Sequence, residues 1–144
     1  MAEKNDWWTC PATDTETSET IMVSGRRDID TYRAKGKYNI RVDVAWRYGS
    51  TGYPDETTAR TMEEVTEAFQ AALKGKTAAV MTAIYTGAGV RQWIFYTLSE
   101  KLFTDFLNRS LAGFPLLPLE ISAEKDPDWA EYDEMRSLTE ILPE

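Results

Sequence analysis

Residues 38–48 show the clearest pattern in the chain, an unbroken alternation between two sets of side chains. A period of two is typical of a strand with one buried face. One set is apolar: Tyr38, Ile40, Val42, Val44, Trp46 and Tyr48. The other set would face the opposite way: Asn39, Arg41, Asp43, Ala45 and Arg47. The pattern therefore predicts a half-buried strand, ended by the glycine-containing loop 49–54.

Two segments have the spacing of amphipathic helices, and each would present one apolar stripe. In residues 57–74 the stripe is Met62, Val65, Phe69, Ala72 and Leu73. In residues 100–112 it is Leu102, Phe103, Phe106, Leu107 and Leu111. Thr61 fits a capping box with the glutamate three residues later, although Asp55 or Thr57 could begin the first helix earlier.

Shorter segments complete the pattern. Trp7 and Trp8 either begin an early strand or pack onto the core, and Asp126 suits the start of a terminal helix. That helix carries an apolar edge with a spacing of three, which can lie on the body: Trp129, Tyr132 and Met135. Further strands are predicted at residues 21–29, 77–86, 90–98 and 119–121, with a tight turn at 87–89.

From residue 38 onward the order is strand, helix, strand, strand, helix, strand. This order predicts an α+β fold, a ferredoxin-like βαββαβ sandwich with an antiparallel sheet. Both helices should cover one face of the sheet, because their apolar stripes need a common core. An extra N-terminal strand and a short C-terminal helix are added to this unit. We expect a partly ordered polar segment over residues 1–20 and a single domain over residues 21–144.

Composition excludes several chemistries. The 144 residues include no histidine and one cysteine, Cys10, so Ser-His and Cys-His nucleophiles are excluded and a structural zinc site nearly so. We expect no cofactor and no metal ion. The net charge of −8 argues against nucleic acid as a partner. With no signal peptide and no apolar run long enough for a membrane, the expected location is the cytoplasm.

The charge is unevenly distributed. Residues 26–47 contain seven basic and three acidic residues, whereas residues 120–144 contain nine acidic and two basic residues. One interpretation is that both segments are solvated surfaces. The other is that the acidic C-terminal segment docks on the basic segment, in the same chain or in a neighbouring one.

Five short motifs occur in a recognisable order. They are Trp46-Arg47-Tyr48 before Gly52-Tyr53-Pro54, then residues 91–96 (RQWIFY), Pro118-Leu119-Glu120-Ile121 and residues 126–132 (DPDWAEY). Over roughly residues 20–135 this arrangement resembles the bacterial domain-of-unknown-function family 695. That family carries no established activity, so the resemblance implies no catalytic residues. At the level of the fold alone, the chain is also similar to acidic protein inhibitors of ribonuclease E, which implies a basic protein partner.

One surface is a candidate for partner binding. If both helices cover one face of the sheet, the other face is left for water or for a partner. Arginine and aromatic residues are enriched at protein interfaces. The candidate residues are Arg41, Asp43, Arg47, Arg91 and Trp93. The alternatives are a solvated face with cross-strand ion pairs, and, for residues 93–96, a central strand packed on both sides.

Two classes of function remain open at this point, beside single-stranded nucleic-acid binding, which conflicts with the net charge of −8. The first is a non-enzymatic protein-binding or regulatory module, which uses the sheet face or the acidic C-terminal segment and includes self-association as a homodimer. The second is a histidine-free enzyme or small-ligand binder that uses carboxylate, arginine and tyrosine side chains. The second requires a concave pocket with converging polar groups and shifted ionisation.

Overall fold

The computed structural model describes residues 7–27, 29–74 and 78–139. Within these residues the chain forms six strands and four helices. The strands are β1 (Trp7–Thr13), β2 (Thr20–Arg26), β3 (Ile40–Arg47), β4 (Ala79–Gly87), β5 (Val90–Thr97) and β6 (Leu119–Lys125). The helices are α1 (Asp30–Ala34), α2 (Glu56–Leu73), α3 (Glu100–Ser110) and α4 (Ala130–Thr139).

All six strands form a single sheet in the order β1-β2-β4-β5-β3-β6, and every neighbouring pair is antiparallel. The α+β class and the antiparallel sheet are therefore as predicted. The first strand is fully paired with β2, from Trp7 opposite Arg26 to Thr13 opposite Thr20. Part of the polar N-terminal segment thus belongs to the sheet of the main domain.

The front face of the sheet, which we define as the side covered by α2 and α3, holds the larger core. Phe69 of α2 makes edge contacts with Trp93 and Phe95 of β5, and its ring lies 5.8 Å from that of Phe106 of α3. The apolar alternation of β3 points into the same core through Val42, Val44 and Trp46. Both predicted helical stripes therefore share one core on one face, except at Leu102, which was predicted in the stripe of α3 but is 41 % exposed and lies outside this core.

The sequence allows α2 to begin at Asp55, Thr57 or Thr61, and the structure decides between them. The side chain of Asp55 accepts a 2.8 Å hydrogen bond from the backbone N–H of Thr58, so Asp55 is the N-cap and Thr61 lies inside the helix. Ser99 caps α3 in the same way, through the backbone N–H of Leu102. Thr77, predicted to begin a strand, lies outside the described residues.

The rear face of the sheet, opposite to α2 and α3, is covered at its centre by other residues of the chain. The prediction that this face is exposed to water or to a partner is therefore wrong for its central part. Trp129, Tyr132 and Met135 of the C-terminal segment are buried there, on Ile94 and Tyr96 of β5. The apolar edge that α4 was predicted to carry is what covers this face. The smaller core that results also includes Trp8 and Val23.

The acidic C-terminal segment lies against the basic segment of the same chain. The whole of β6 pairs with β3, and Glu124 accepts a 2.7 Å hydrogen bond from Arg41. Arg33, which follows β2 in the short helix α1, makes two 2.6 Å contacts with the carboxylate of Asp133 in α4. Of the two interpretations of the charge asymmetry, the structure matches intramolecular docking.

Candidate functional site

A groove lies on the front face beside α2, because the sheet is wider than its two front helices. Helices α2 and α3 cover the front of β4, β5 and β3 and only the start of β6, at Leu119, whereas the front of β1 and β2 extends past α2. Two cavities occupy this step, of about 430 Å³ and 410 Å³. We call these two cavities together the front groove. Both volumes fall within the range of ligand pockets, roughly 300–1,000 Å³.

Trp7 divides the front groove. Its side chain lines both cavities, and so does Gln70 of α2. The indole nitrogen of Trp7 is buried and has no hydrogen-bond partner among the described residues. A buried indole N–H without a partner costs free energy, and Trp7 itself is only partly buried. The front groove therefore contains a partly exposed aromatic ring whose indole N–H is buried behind it.

Arg91 lies at one end of the front groove and is held in place from three sides. Its Nε donates to Thr86 Oγ1 at 3.0 Å, and its NH1 contacts Glu63 Oε1 at 3.2 Å. Its guanidinium carbon lies 5.7 Å from the centre of the Trp93 ring. The side chain of Arg91 is 14 % exposed, so the guanidinium is fixed in position and reachable.

Trp93 forms part of the support beneath Arg91. Its side chain is fully buried, and its Nε1 donates to Thr66 Oγ1 at 2.8 Å. The Thr66 hydroxyl in turn donates to the carbonyl of Met62, one helical turn earlier. This chain of hydrogen bonds fixes β5 to α2 and holds the floor on which Arg91 rests.

The described residues that line the front groove carry more positive than negative charge. Arg91 lies at one end, and Arg26 and Lys74 line the other end. Glu63 is the acidic side chain of the lining and is paired with Arg91. Arg26 is buried and already engaged, so the exposed positive charge that favours an acidic ligand, in a chain with a net charge of −8, is that of Lys74.

A second group of polar side chains lies on the rear face, beneath and beside α4. We call it the rear polar cluster: Arg41, Asp43, Tyr85, Tyr96, Glu124, Asp126 and Glu131. The hydroxyl of Tyr85 donates to Glu131 at 2.6 Å, and that of Tyr96 donates to Asp126 at 2.6 Å. Asp126 also accepts from the backbone N–H groups of Ala130 and Glu131, so it caps α4 from the preceding turn.

In the rear polar cluster, burial raises the pKa values of the carboxyl groups, whereas the nearby positive charge of Arg41 lowers them. Burial raises the pKa of Glu131, and the hydrogen bond from Tyr85 and the charge of Arg41 only partly oppose this. Burial likewise raises the pKa of Asp43, against the attraction of Arg41. The pKa of Asp126 is lowered, because its hydrogen bonds from Tyr96 and the start of α4 outweigh its burial. One oxygen of Glu131 is buried and has no hydrogen-bond partner within the described part of the chain.

Glu131 provides a test of this electrostatic arrangement. A carboxyl group whose pKa is raised on folding lowers the free energy of unfolding once it ionises. This destabilisation therefore begins as the pH rises above about 4.3, the pKa of glutamate in the unfolded chain. We expect Glu131→Gln to be more stable than the wild type at neutral pH, with the difference shrinking as the pH falls towards 4. Urea unfolding across this pH range measures the difference.

Two further variants make the Glu131 experiment specific. Tyr85→Phe removes the hydrogen bond that lowers the pKa of Glu131, so its stability should fall more steeply with rising pH than that of the wild type. Glu134→Gln, at an exposed position of the same helix, controls for the loss of one negative charge. A Glu131→Gln variant that is less stable than the wild type at every pH would contradict this account.

Comparison with known protein families gives a match that covers most of the chain. The profile of a family described as a family of unknown function, DUF695, matches residues 8–135. The chain belongs to this family. No curated protein and no solved structure matches the chain, so the likeness to ribonuclease E inhibitors is not confirmed. The DUF695 match runs from the second residue of β1 to Met135 in α4, and so includes both faces of the sheet.

The five residues predicted for partner binding do not form one surface in this DUF695 protein. Arg41 and Asp43 lie in the rear polar cluster, and Arg47 lies at an exposed end of β3, 3.6 Å from Glu120. Arg91 pairs in register with Trp46 and therefore faces the front. Trp93 is fully buried and cannot touch a partner directly. The packing of β5 on both sides corresponds to the predicted central strand.

The contribution of Trp7 to a site was missed by sequence reasoning. The available signal was the pair Trp7-Trp8: in a strand, adjacent side chains point to opposite faces, so one of the two had to lie on the front. The strand order decides what that front residue meets. The sequence predicts that the strands before residue 38 add at an edge of the sheet, as they do, but it does not predict which edge. That position, beside β4, is what places Trp7 next to α2.

Among the described residues, no group of three or more histidine, cysteine, aspartate or glutamate side chains is arranged to hold a metal ion. None of the helices in the part of the chain that the structure describes is long and apolar enough to cross a membrane.

Proposed function

We propose that this DUF695 protein is a non-enzymatic, cytoplasmic protein-binding module, and that its front groove binds an acidic segment of a partner protein. The observation that carries the proposal is the combination of Trp7 and Arg91 in one groove. A partly exposed aromatic ring and a fixed, reachable arginine are the side chains that dominate protein interfaces.

The dimensions of the front groove suit a short extended segment. Along α2, the lining runs from Glu63 to Lys74, which is about 16 Å at 1.5 Å per residue. That length accommodates roughly five residues of extended chain at about 3.3 Å each. An acidic side chain of the segment would replace Glu63 as the partner of Arg91, and an apolar side chain would pack on Trp7.

Binding is favoured over catalysis because the two features of a catalytic site are separated in this structure. The concave cavities lie on the front face, whereas the carboxyl groups with raised pKa values, Asp43 and Glu131, lie on the rear face. A general acid or base must lie within hydrogen-bond reach of its substrate. The histidine-free enzyme is therefore the less supported alternative.

We further propose that residues from β3 to β6 form a ferredoxin-like unit to which β1 and β2 have been added. The support is the sheet order β4-β5-β3-β6, with all pairs antiparallel and with α2 and α3 on one face. In this arrangement the added strands attach at β4. The front groove is then the junction between the unit and its extension.

The test uses peptides selected against the wild-type chain from a random phage-displayed library, followed by fluorescence anisotropy with the synthesised peptides. We expect the selected sequences to be rich in aspartate and glutamate. Trp7→Ala and Arg91→Met should each weaken their binding at least about tenfold, which corresponds to about 1.4 kcal/mol. Thermal unfolding of both variants checks that each is still folded.

The matched control is Arg47→Met, which removes an exposed arginine from the other face and should leave the affinity unchanged. Selected peptides that bind Trp7→Ala and Arg91→Met as tightly as the wild type would overturn the proposal. So would peptides without acidic enrichment, or peptides whose binding depends on Arg47.

A further inference from the structure

The two edges of the sheet differ in how they are protected. Unpaired edge strands attract other strands, and proteins commonly block them with proline, bulges or charge. The edge strand β1 carries Pro11 at its centre. The other edge, β6, contains no proline, and its register with β3 is regular over seven consecutive pairs. Among the described residues no strand pairs with the outer side of β6.

The hydrogen-bonding pattern shows which backbone groups of β6 point outward. The N–H of Asp126 donates to the carbonyl of Asn39 at 2.8 Å, so this pair continues the register as a hydrogen-bonded pair. In an antiparallel sheet, hydrogen-bonded pairs alternate with non-hydrogen-bonded pairs. The next hydrogen-bonded pair along the strands is therefore Glu124 with Arg41. The N–H and C=O groups of Ile121, Ala123 and Lys125 therefore point away from β3.

The two glutamates of β6 do not block its outer edge, because arginines of β3 neutralise them, and Lys125 lies at the last position of the strand. Glu124 contacts Arg41 at 2.7 Å, and Glu120 contacts Arg47 at 3.6 Å. On the front side the strand presents Ile121, whose side chain is unusually exposed for its type, at 46 %. The edge thus combines available backbone groups, compensated charge and an exposed apolar side chain.

From this geometry we propose that two copies of the chain pair through β6 in antiparallel fashion, around a two-fold axis at Ile121. This register sets Ile121 against its own copy, Leu119 against Ala123, and Glu120 against Ser122. Moving the axis to Ser122 would set Glu120 against Glu124, and moving it to Ala123 would set Glu120 against Asp126. Like charges directly opposite each other are unfavourable, so the Ile121 register is selected.

The pairing joins two six-stranded sheets into one and is self-complementary, as a two-fold interface must be. The outward N–H and C=O groups of Ile121 bond to those of its copy. The N–H of Ala123 bonds to the carbonyl of Leu119 in the other copy. The N–H of Leu119 stays with the carbonyl of Leu117, 2.9 Å away, so the pairing ends there.

Sedimentation velocity over a micromolar to millimolar concentration series tests the pairing. The wild type should shift from monomer to dimer, and Ile121→Lys should weaken dimerisation at least tenfold, because two lysines would face each other. Thr13→Lys adds the same charge at an exposed position of the other edge strand and should leave dimerisation unchanged. A wild type that stays monomeric, or a dimer indifferent to Ile121→Lys, would overturn the proposal.

Disulfide trapping tests the register. In a Cys10→Ser background, Ile121→Cys should cross-link two copies under mild oxidation, because residues of a hydrogen-bonded pair lie about 5.5 Å apart between Cα atoms. Ser122→Cys should not cross-link, since its copy lies two residues further along the strand. Cross-linking through Ser122→Cys and not through Ile121→Cys would overturn the register. Neither experiment involves Trp7 or Arg91, so the dimer and the front groove are tested separately.

Discussion

Trp129→Ala is expected to lower the free energy of unfolding by about 3–5 kcal/mol, the usual cost of removing a large buried aromatic side chain. Trp129 is 2 % exposed, its ring stacks on Tyr96 at 4.3 Å, and its Nε1 donates to the carbonyl of Tyr38 at 2.8 Å. It also has a φ of +57°, a backbone conformation that costs a residue other than glycine about 1–2 kcal/mol. The packing of the indole ring offsets this strain.

Urea unfolding followed by circular dichroism measures the effect of Trp129→Ala. The control is Leu116→Ala, which truncates a fully exposed apolar side chain and should change the free energy of unfolding by less than about 0.5 kcal/mol. A loss below about 1 kcal/mol for Trp129→Ala would mean that α4 does not close the rear face, and the account of the smaller core would be wrong.

Gly89→Ala is expected to destabilise the chain by about 2–6 kcal/mol, because backbone strain and steric overlap each cost about 1–3 kcal/mol. Gly89 has a φ of +83°, and an added Cβ would lie 2.3 Å from the carbonyl oxygen of Gly49. That oxygen belongs to the loop after β3, which Gly89 holds by hydrogen bonds with Tyr48 and Gly52. The loop cannot withdraw without losing these bonds.

Gly113→Ala is the matched control for Gly89→Ala. An added Cβ at Gly113 would meet nothing within 4 Å, and its φ is not positive. Thermal or urea unfolding should therefore leave Gly113→Ala close to the wild type. Equal stabilities for the two variants would show that the turn between β4 and β5 does not hold the loop as described.

Most of the secondary structure could be predicted from the sequence, because the apolar residues have a regular spacing in those segments whose apolar face is buried in the folded chain. The alternation in β3 and most of the stripes of α2 and α3 point into one core, as the patterns require. Tyr38, predicted on the same face, precedes β3 and is buried in the smaller core of the rear face, and Leu102 is exposed. The short helix α1 was not predicted: five residues without a buried side chain leave no apolar period to detect. Strand β6 continues to Lys125, beyond the predicted end at Ile121, because pairing with β3 extends over polar residues.

The candidate site could not be predicted to the same extent, because it depends on strand order. Alternation assigned Arg41 and Asp43 correctly to one face, but the register between β3 and β5 places Arg91 on the other. The apolar edge of α4 was visible in the sequence, whereas the face that it covers was not. The sequence predicts an open surface on the rear face of the sheet. In the structure the rear face is covered by α4, and the accessible surface is the front groove beside α2.

The central claim is that an acidic partner segment binds in the front groove and not on the rear face. The most direct measurement follows the indole N–H signals of the five tryptophans by two-dimensional NMR while the selected acidic peptide is added. Our account predicts that the signal of Trp7 shifts strongly and that of Trp129 stays in place. A peptide that shifts Trp129 and leaves Trp7 unchanged would contradict it.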